Sequence, residues 1–455
     1  MKIFHTSTPH QELACFLQGA QPRAFTFDFA QYYLPDTPVL RLLGVLTRNS
    51  EGAPYALVTD RVSDGVDYLK REGESVGRFQ RLPQLLAAPW VPMMGAWKLA
   101  AVNVPKPWGQ EIWYTGIEAR GQSHITDGVF TVPLPWVLAL GSDLLLMHGC
   151  CEPNLLKILD PLPEEVFGDL YFELHEEKRE VYVVTHVSVD AWPDGRGAIR
   201  YGFDPDVRAS YGDDAAFRRA YLEAVRAYEV VRREIDALID QRRLDEGVPL
   251  DHPVDAQTLK RWLSTLPAEL HARERDTREA MNAFTHMVPL QAGDVVKVAT
   301  LTPHALQHGV RTVEFQTPVY ERKILSFAQK VLTQSHWDTP EAVALMSLEP
   351  GRVEALPLVK ETSDYRLEQV VCFEDFEVYR LTLLPGATYQ DEANGVYRVL
   401  FAVTDGIASD SLALAPEDAV LFPATAAKIT LHNSTQSAAV CLISKPIASS
   451  NVGCP

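Results

Sequence analysis

The chain has 455 residues with 42 Lys+Arg against 60 Asp+Glu, a formal charge of −18. That length allows about two to four domains, and 46% apolar with 22% charged residues is an ordinary globular composition. The acidic balance argues against a nucleic-acid binder, which needs a basic face, and against docking on an anionic membrane. A small phosphorylated metabolite held by a few local Lys and Arg stays open.

Residues 1–100 mix strand signals, at 24–34 (AFTFDFAQYYL) and 54–62 (PYALVTDRV), with a helical stretch at 66–88 (VDYLKREGESVGRFQRLPQLLAA). No chemical motif stands out there, and a scaffolding or interface module is the plain expectation. From about 100 to 203 short Val, Ile, Tyr and Phe runs alternate with Gly, Pro and Asp, as in 178–189 (KREVYVVTHVSV). Residues 204–285 change character. Apolar positions recur every three or four residues through 215–244 (AAFRRAYLEAVRAYEVVRREIDALIDQRRL), which predicts an amphipathic helix, and a second helical stretch runs from Asp255 to about Phe284. Alternation returns from Val288. A Pro-containing stretch at 336–360 links to a last strand-and-turn block at about 362–447.

Six cysteines are sparse, no pair is spaced CxxC, and Cys150 and Cys151 are too close for an ordinary disulfide. Free thiols and a reducing, cytoplasmic location are expected. The start has no signal-peptide pattern, and the most apolar stretch, 130–147, is interrupted by Pro133, Pro135, Ser142 and Asp143, so no transmembrane helix is predicted.

One segment can carry chemistry. Glu173 and His175 are two apart, so on a strand they share a face. Glu180 follows after a bend, and Gly293-Asp294 opens a strand leading to Thr302-Pro303-His304. Two carboxylates and two imidazoles suit a divalent metal such as zinc. The spacing fits a bipartite β-barrel pattern, (H/E/Q)-x-H-x(3–4)-E followed by Gly, a turn and His. Ala299 and Leu301 stand where that pattern usually has Pro and Gly. The alternative for the same residues is a surface strand with charged side chains.

KPWGQEIWY at 106–114, PNLLKILDP at 153–161, FELHEEKREVYVV at 172–184, GAIRYGF at 197–203 and GDVVKVATLTPHALQHGVRTVEFQ at 293–316 occur in that order. Together they resemble the type I mannose-6-phosphate isomerases (phosphomannose isomerases) of the cupin superfamily, over about 101–447. The resemblance implies a mainly β fold: two cupin-like (jelly-roll) β-barrels, an α-helical subdomain and an N-terminal α/β segment. Its expected boundaries are 1–100 for the extension, 101–203 and 286–335 for the first barrel, 204–285 for the helical insertion and 340–455 for the second barrel. It implies one zinc held by Glu173, His175, Glu180 and His304, with Lys178 and Arg322 as catalytic residues beside a sugar or sugar phosphate. The implied reaction converts mannose 6-phosphate to fructose 6-phosphate through a cis-enediol, with Arg322 stabilising the enediolate and Lys178 holding a sugar oxygen or assisting ring opening. A salt bridge to Glu321 or another local carboxylate is the alternative for Arg322, and a solvated strand lysine for Lys178. Glu314 and Gln316 match a barrel-wall strand, and Lys106 and Trp108 match the opening motif as structural residues.

Three departures stand out. Glu173 replaces a usual Gln, Glu176 replaces a usual Pro, and Glu-Arg-Lys-Ile-Leu-Ser-Phe at 321–327 replaces a Tyr-Arg-Leu-x-Asp-Trp signature. Two further readings keep the barrel: a non-catalytic or sensory sugar-binding cupin, and a different metal-dependent cupin enzyme, since two His plus carboxylate also suits Fe(II). His308 is a supporting candidate. His148, His186, His286, His336 and His432 read as isolated structural histidines. A monomer or homodimer is expected.

Overall fold

The structure is a computed structural model that describes residues 2–72, 77–392, 394–409 and 412–447. It divides into two compact units. One comprises 1–102, 113–157 and 356–455, the other 103–112 and 158–355.

The second unit is built on two sheets. One has six strands in the order Val295–Val298, Glu180–Val187, Val310–Gln316, Leu155–Pro161, Gly109–Trp113, Val102–Lys106. The other has five, in the order Thr285–Leu290, Gly197–Phe203, His304–Leu306, Phe172–Leu174, Lys323–Ser326. Tyr182, Val184 and Val296 from the first sheet and Leu174, Ile199, Leu306 and Ile324 from the second share one buried apolar cluster. Alternation along each strand sends one set of side chains into this layer. The strand Gly197–Phe203 carries a register irregularity between Arg200 and Phe203. Gly202 lies there at φ +72, where an added Cβ would collide with the Glu349 carbonyl. Gly202→Ala is therefore expected to cost about 1–3 kcal/mol, read as a lower urea midpoint.

The helical insertion follows that strand. Asp214–Asp245 is a 32-residue helix, N-capped by Asp213, whose side chain accepts from the Ala216 N–H, and it ends on Arg242 and Arg243. Phe217, Tyr221, Val225, Tyr228, Val231, Ile235 and Ile239 form its buried stripe. The second predicted helical stretch is two helices, Ala256–Leu263 and Ala268–Asn282, parted where Pro267 cannot continue the first. The Pro-containing stretch expected as a plain link holds a helix, Thr339–Leu345, with proline in its first turn.

The first unit also pairs two sheets. Leu381, Leu400, Val420 and Cys441 of a nine-stranded sheet pack with Tyr389, Ile407, Ile429 and Leu431 of a four-stranded one. The nine-stranded sheet takes in Trp97–Ala100, which pairs with Ala419–Phe422, and His124–Thr126 beyond it. Residues 113–157, read from sequence as part of the first barrel, thus lie in the unit of the C-terminal strands. The N-terminal α/β segment forms a five-stranded sheet, Ile3–His5, Arg23–Ala30, Val39–Arg48, Pro54–Thr59 and Val91–Pro92, with helices Val62–Glu72 and Leu82–Leu86 contributing to its core. These two helices replace the single stretch predicted at 66–88, part of which, 73–76, lies outside the described residues.

The fold class expected from sequence holds: mainly β with a helical insertion. Among the described residues no helix is long and apolar enough to cross a membrane. One cysteine expectation fails. Cys151 is disulfide-bonded, while Cys15, Cys150, Cys372 and Cys441 are free. Adjacency to Cys150 excluded only that neighbour as a partner.

Candidate metal centre

Four side chains converge between the two sheets of the second unit. Glu173 lies in the strand Phe172–Leu174 and sits directly opposite His304 in the antiparallel register. His175 follows the end of that strand, and Glu180 opens the strand Glu180–Val187 after a short irregular turn. His304 is 2.6 Å through Nε2 from Glu180 Oε1, His175 Nε2 is 3.3 Å from the same oxygen, and His175 Nε2 lies 3.8 Å from Glu173 Oε1. Ligand atoms around a four-coordinate zinc at 2.0–2.2 Å stand about 3.3–3.6 Å apart, so the cluster has the scale of a coordination sphere. Glu173, His175 and His304 each present one atom within 4.8 Å of the others.

The hydrogen bonds behind the rings decide what the rings offer. His175 Nδ1 is 2.9 Å from the Glu321 carbonyl and His304 Nδ1 is 3.0 Å from the Thr302 carbonyl. A carbonyl only accepts, so each Nδ1 carries the proton and each Nε2 of a neutral ring is a lone pair. Those lone pairs face the Glu180 carboxylate, another acceptor. Only a proton or a cation between them makes the contact favourable. Both Nε2 atoms and Glu173 Oε2 are buried without hydrogen-bond partners and closed to water. A cation would satisfy these atoms together.

Charge is balanced around the cluster. Lys178 Nζ lies 2.7 Å from Glu180 Oε2, and Tyr182 donates its hydroxyl to Glu180 Oε1 at 2.6 Å. Burial pushes the Glu180 carboxyl up, but Lys178, His175 and His304 outweigh it and hold it well below the usual range. Burial acts the same way on Glu173, and Arg322 leads the cations that bring it down. For His175, burial and then Lys178 depress the imidazole, which favours the neutral, ligating form. Arg322 Nη1 is 3.6 Å from Glu173 Oε2, its Nη2 donates to Thr333 Oγ1 at 2.8 Å, and its guanidinium lies 4.4 Å over the Tyr171 ring. Of the carboxylates offered from sequence as alternative partners of Arg322, Glu173 is the one in reach, while the Glu321 carboxylate turns to backbone N–H groups at 176–178.

The turn before His304 keeps its shape at a cost. Leu301, at the position where the pattern usually has glycine, adopts φ +62. Its N–H donates to the His175 carbonyl at 2.7 Å, which ties the two imidazole-bearing segments together.

All six residues singled out by the resemblance therefore lie in one place. Gln316 is barrel wall, donating to the Thr317 and Val319 carbonyls. His308 hydrogen-bonds Asp169 at 2.8 Å and stacks on Trp192. Sequence reasoning missed Tyr171, Tyr182, Glu111 and the role of Glu321. Tyr182 was within reach, since it lies two residues after Glu180 on the same strand face. Glu111, paired with Lys106 at 3.2 Å, adds to the field on Arg322, a long-range effect without a local sequence signal. A separate cavity of about 390 Å³, lined by Phe167, Arg232, Ile239 and Leu263 among others, contains none of the converging residues.

No family model and no curated protein matches the chain. Solved structures do. The mannose 6-phosphate isomerase from Bacillus subtilis aligns with a TM-score of 0.51 at 12% identity, over 77% of this chain and 99% of that one. A zinc-bound holo structure of a mannose 6-phosphate isomerase aligns with a TM-score of 0.50 at 14% identity, over 78% of this chain and 100% of that one. At such identities the likeness is one of fold.

Proposed function

We propose that this chain is a metal-dependent aldose–ketose isomerase acting on a sugar phosphate, with mannose 6-phosphate and fructose 6-phosphate as the pair and a cis-enediol between them. The observation that carries the reading is the buried pair of Nε2 lone pairs turned toward the Glu180 carboxylate, a contact that a bound cation would make favourable. The fold shared with isomerases, one of them solved with zinc, supports it. Glu173, His175, Glu180 and His304 would hold the ion, with zinc the first choice. A divalent ion there supplies Lewis-acid stabilisation of negative charge on a substrate oxygen.

The remaining roles belong to the chain itself. Glu173 has a side chain 17% exposed, against 1% for His175 and Glu180, so substrate would approach from its side. Arg322 borders that opening. Its permanent charge, aimed by Tyr171 and Thr333, would stabilise an enediolate oxygen. Lys178 commits one contact to Glu180 and has further N–H groups for a sugar hydroxyl. Tyr182 keeps Glu180 in place.

A second reading rests on the second carboxylate. Glu173 where glutamine is usual makes the donor set more oxygen-rich, which suits Fe(II) or Mn(II) and hence a different metal-dependent cupin enzyme. A coupled assay for fructose 6-phosphate from mannose 6-phosphate, run on metal-analysed protein, decides. Turnover lost on chelation and restored by Zn²⁺ is the expected result. Bound iron or manganese with no turnover favours the second reading, and no metal with no turnover leaves a sugar-binding barrel.

A further inference from the structure

We infer that Glu321 is a positioning residue that presets the metal site by clamping the turn between His175 and Glu180. The inference rests on the metal-site reading above. Residues 175–179 lie between the end of one strand at Leu174 and the start of the next at Glu180, so their N–H groups have no strand neighbour to bond. Glu321 Oε1 accepts from three in succession, Glu176 at 2.9 Å, Glu177 at 3.0 Å and Lys178 at 3.1 Å. Successive N–H groups gathered on one anion form a nest that fixes the backbone of a turn. The carbonyl of the same residue accepts from His175 Nδ1 and so leaves Nε2 as the ring nitrogen turned toward Glu180. Thr317 continues the cradle. Its N–H donates to the Arg179 carbonyl at 3.0 Å, and its hydroxyl accepts from the Arg179 N–H.

Two departures from the resembled pattern explain each other. The pattern has proline at 176, and proline has no N–H to give. Here Glu176 supplies that donor and Glu321, standing in the altered signature, receives it. The next residue is Arg322. A single side chain therefore joins the segment carrying Arg322 to the turn carrying His175 and Lys178. Glu176 and Glu177 are exposed, so water can take over two of the three N–H groups once the clamp is gone, the third belonging to buried Lys178. The loss falls on geometry and much less on stability.

Zinc affinity of the full chain, measured by competition with a chromophoric chelator, tests this alongside amide exchange of 176–178 in metal-free protein. Glu321→Ala is expected to weaken zinc binding on the order of 10–100-fold, speed exchange of those amides and barely move the urea midpoint. Glu321→Gln keeps an acceptor oxygen in place and is expected to recover most of the affinity. Glu176→Pro removes one donor and should fall between. Unchanged affinity and exchange in Glu321→Ala would overturn the inference, as would a loss matched by a falling midpoint and not rescued by Gln. If the wild-type chain takes up no zinc, the metal reading fails. Exchange then judges the clamp alone, with faster exchange in Glu321→Ala supporting it and no change overturning it.

Discussion

Replacement of His304 by alanine is expected to strip the chain of bound zinc and to abolish isomerase turnover. Its Nε2 lies nearest the Glu180 carboxylate, and the ring is already fixed through Nδ1. Structural zinc sites gain about 10–16 kcal/mol on binding, so losing one of four donors is expected to remove about a quarter of that, on the order of a hundredfold or more in affinity. Metal analysis after dialysis, together with the coupled assay, reads both effects. The apo protein should remain folded, because the Tyr182, Ile199 and Leu306 layer does not depend on the ring. Retention of full zinc content in this variant would remove His304 from the site.

Arg322→Met is expected to lower kcat by about 10²–10³-fold, the usual scale for deleting a group that stabilises developing oxyanion charge. A second effect is separable. Glu173 loses the leading cation that holds its carboxyl down, so the variant should also lose about 1–3 kcal/mol of stability. The double variant Glu173→Gln/Arg322→Met removes the stranded charge and should recover that stability without recovering turnover. Urea unfolding and steady-state kinetics on the two variants distinguish the roles. Recovery of activity in the double variant would mean that Arg322 serves only to neutralise Glu173.

Much of this was legible before the structure because it is local. The long helix followed from apolar spacing through 215–244, and the observed Asp214–Asp245 adds a residue at each end. The Glu-x-His pair, the later Glu and the distant His followed from spacing and resemblance. What was not legible depends on distant partners. The Glu173–His304 register joins residues far apart in the chain, and the pairing of Trp97–Ala100 with Ala419–Phe422 does so too. The clamp by Glu321 depends on the path of a turn, which no periodicity records.

The nine-stranded sheet has a consequence for synthesis. Lys98, beside the Trp97–Leu421 pairing, bonds Asp418 at 2.9 Å, 320 positions along the chain. A ribosome delivers roughly 5–20 residues per second, so Trp97–Ala100 waits on the order of 15–60 seconds for its neighbour. The unit with the converging residues is complete at 355 and can close while translation continues. Throughout that interval the early strands present unpaired edges. They are the part of the nascent chain that a chaperone would have to shield.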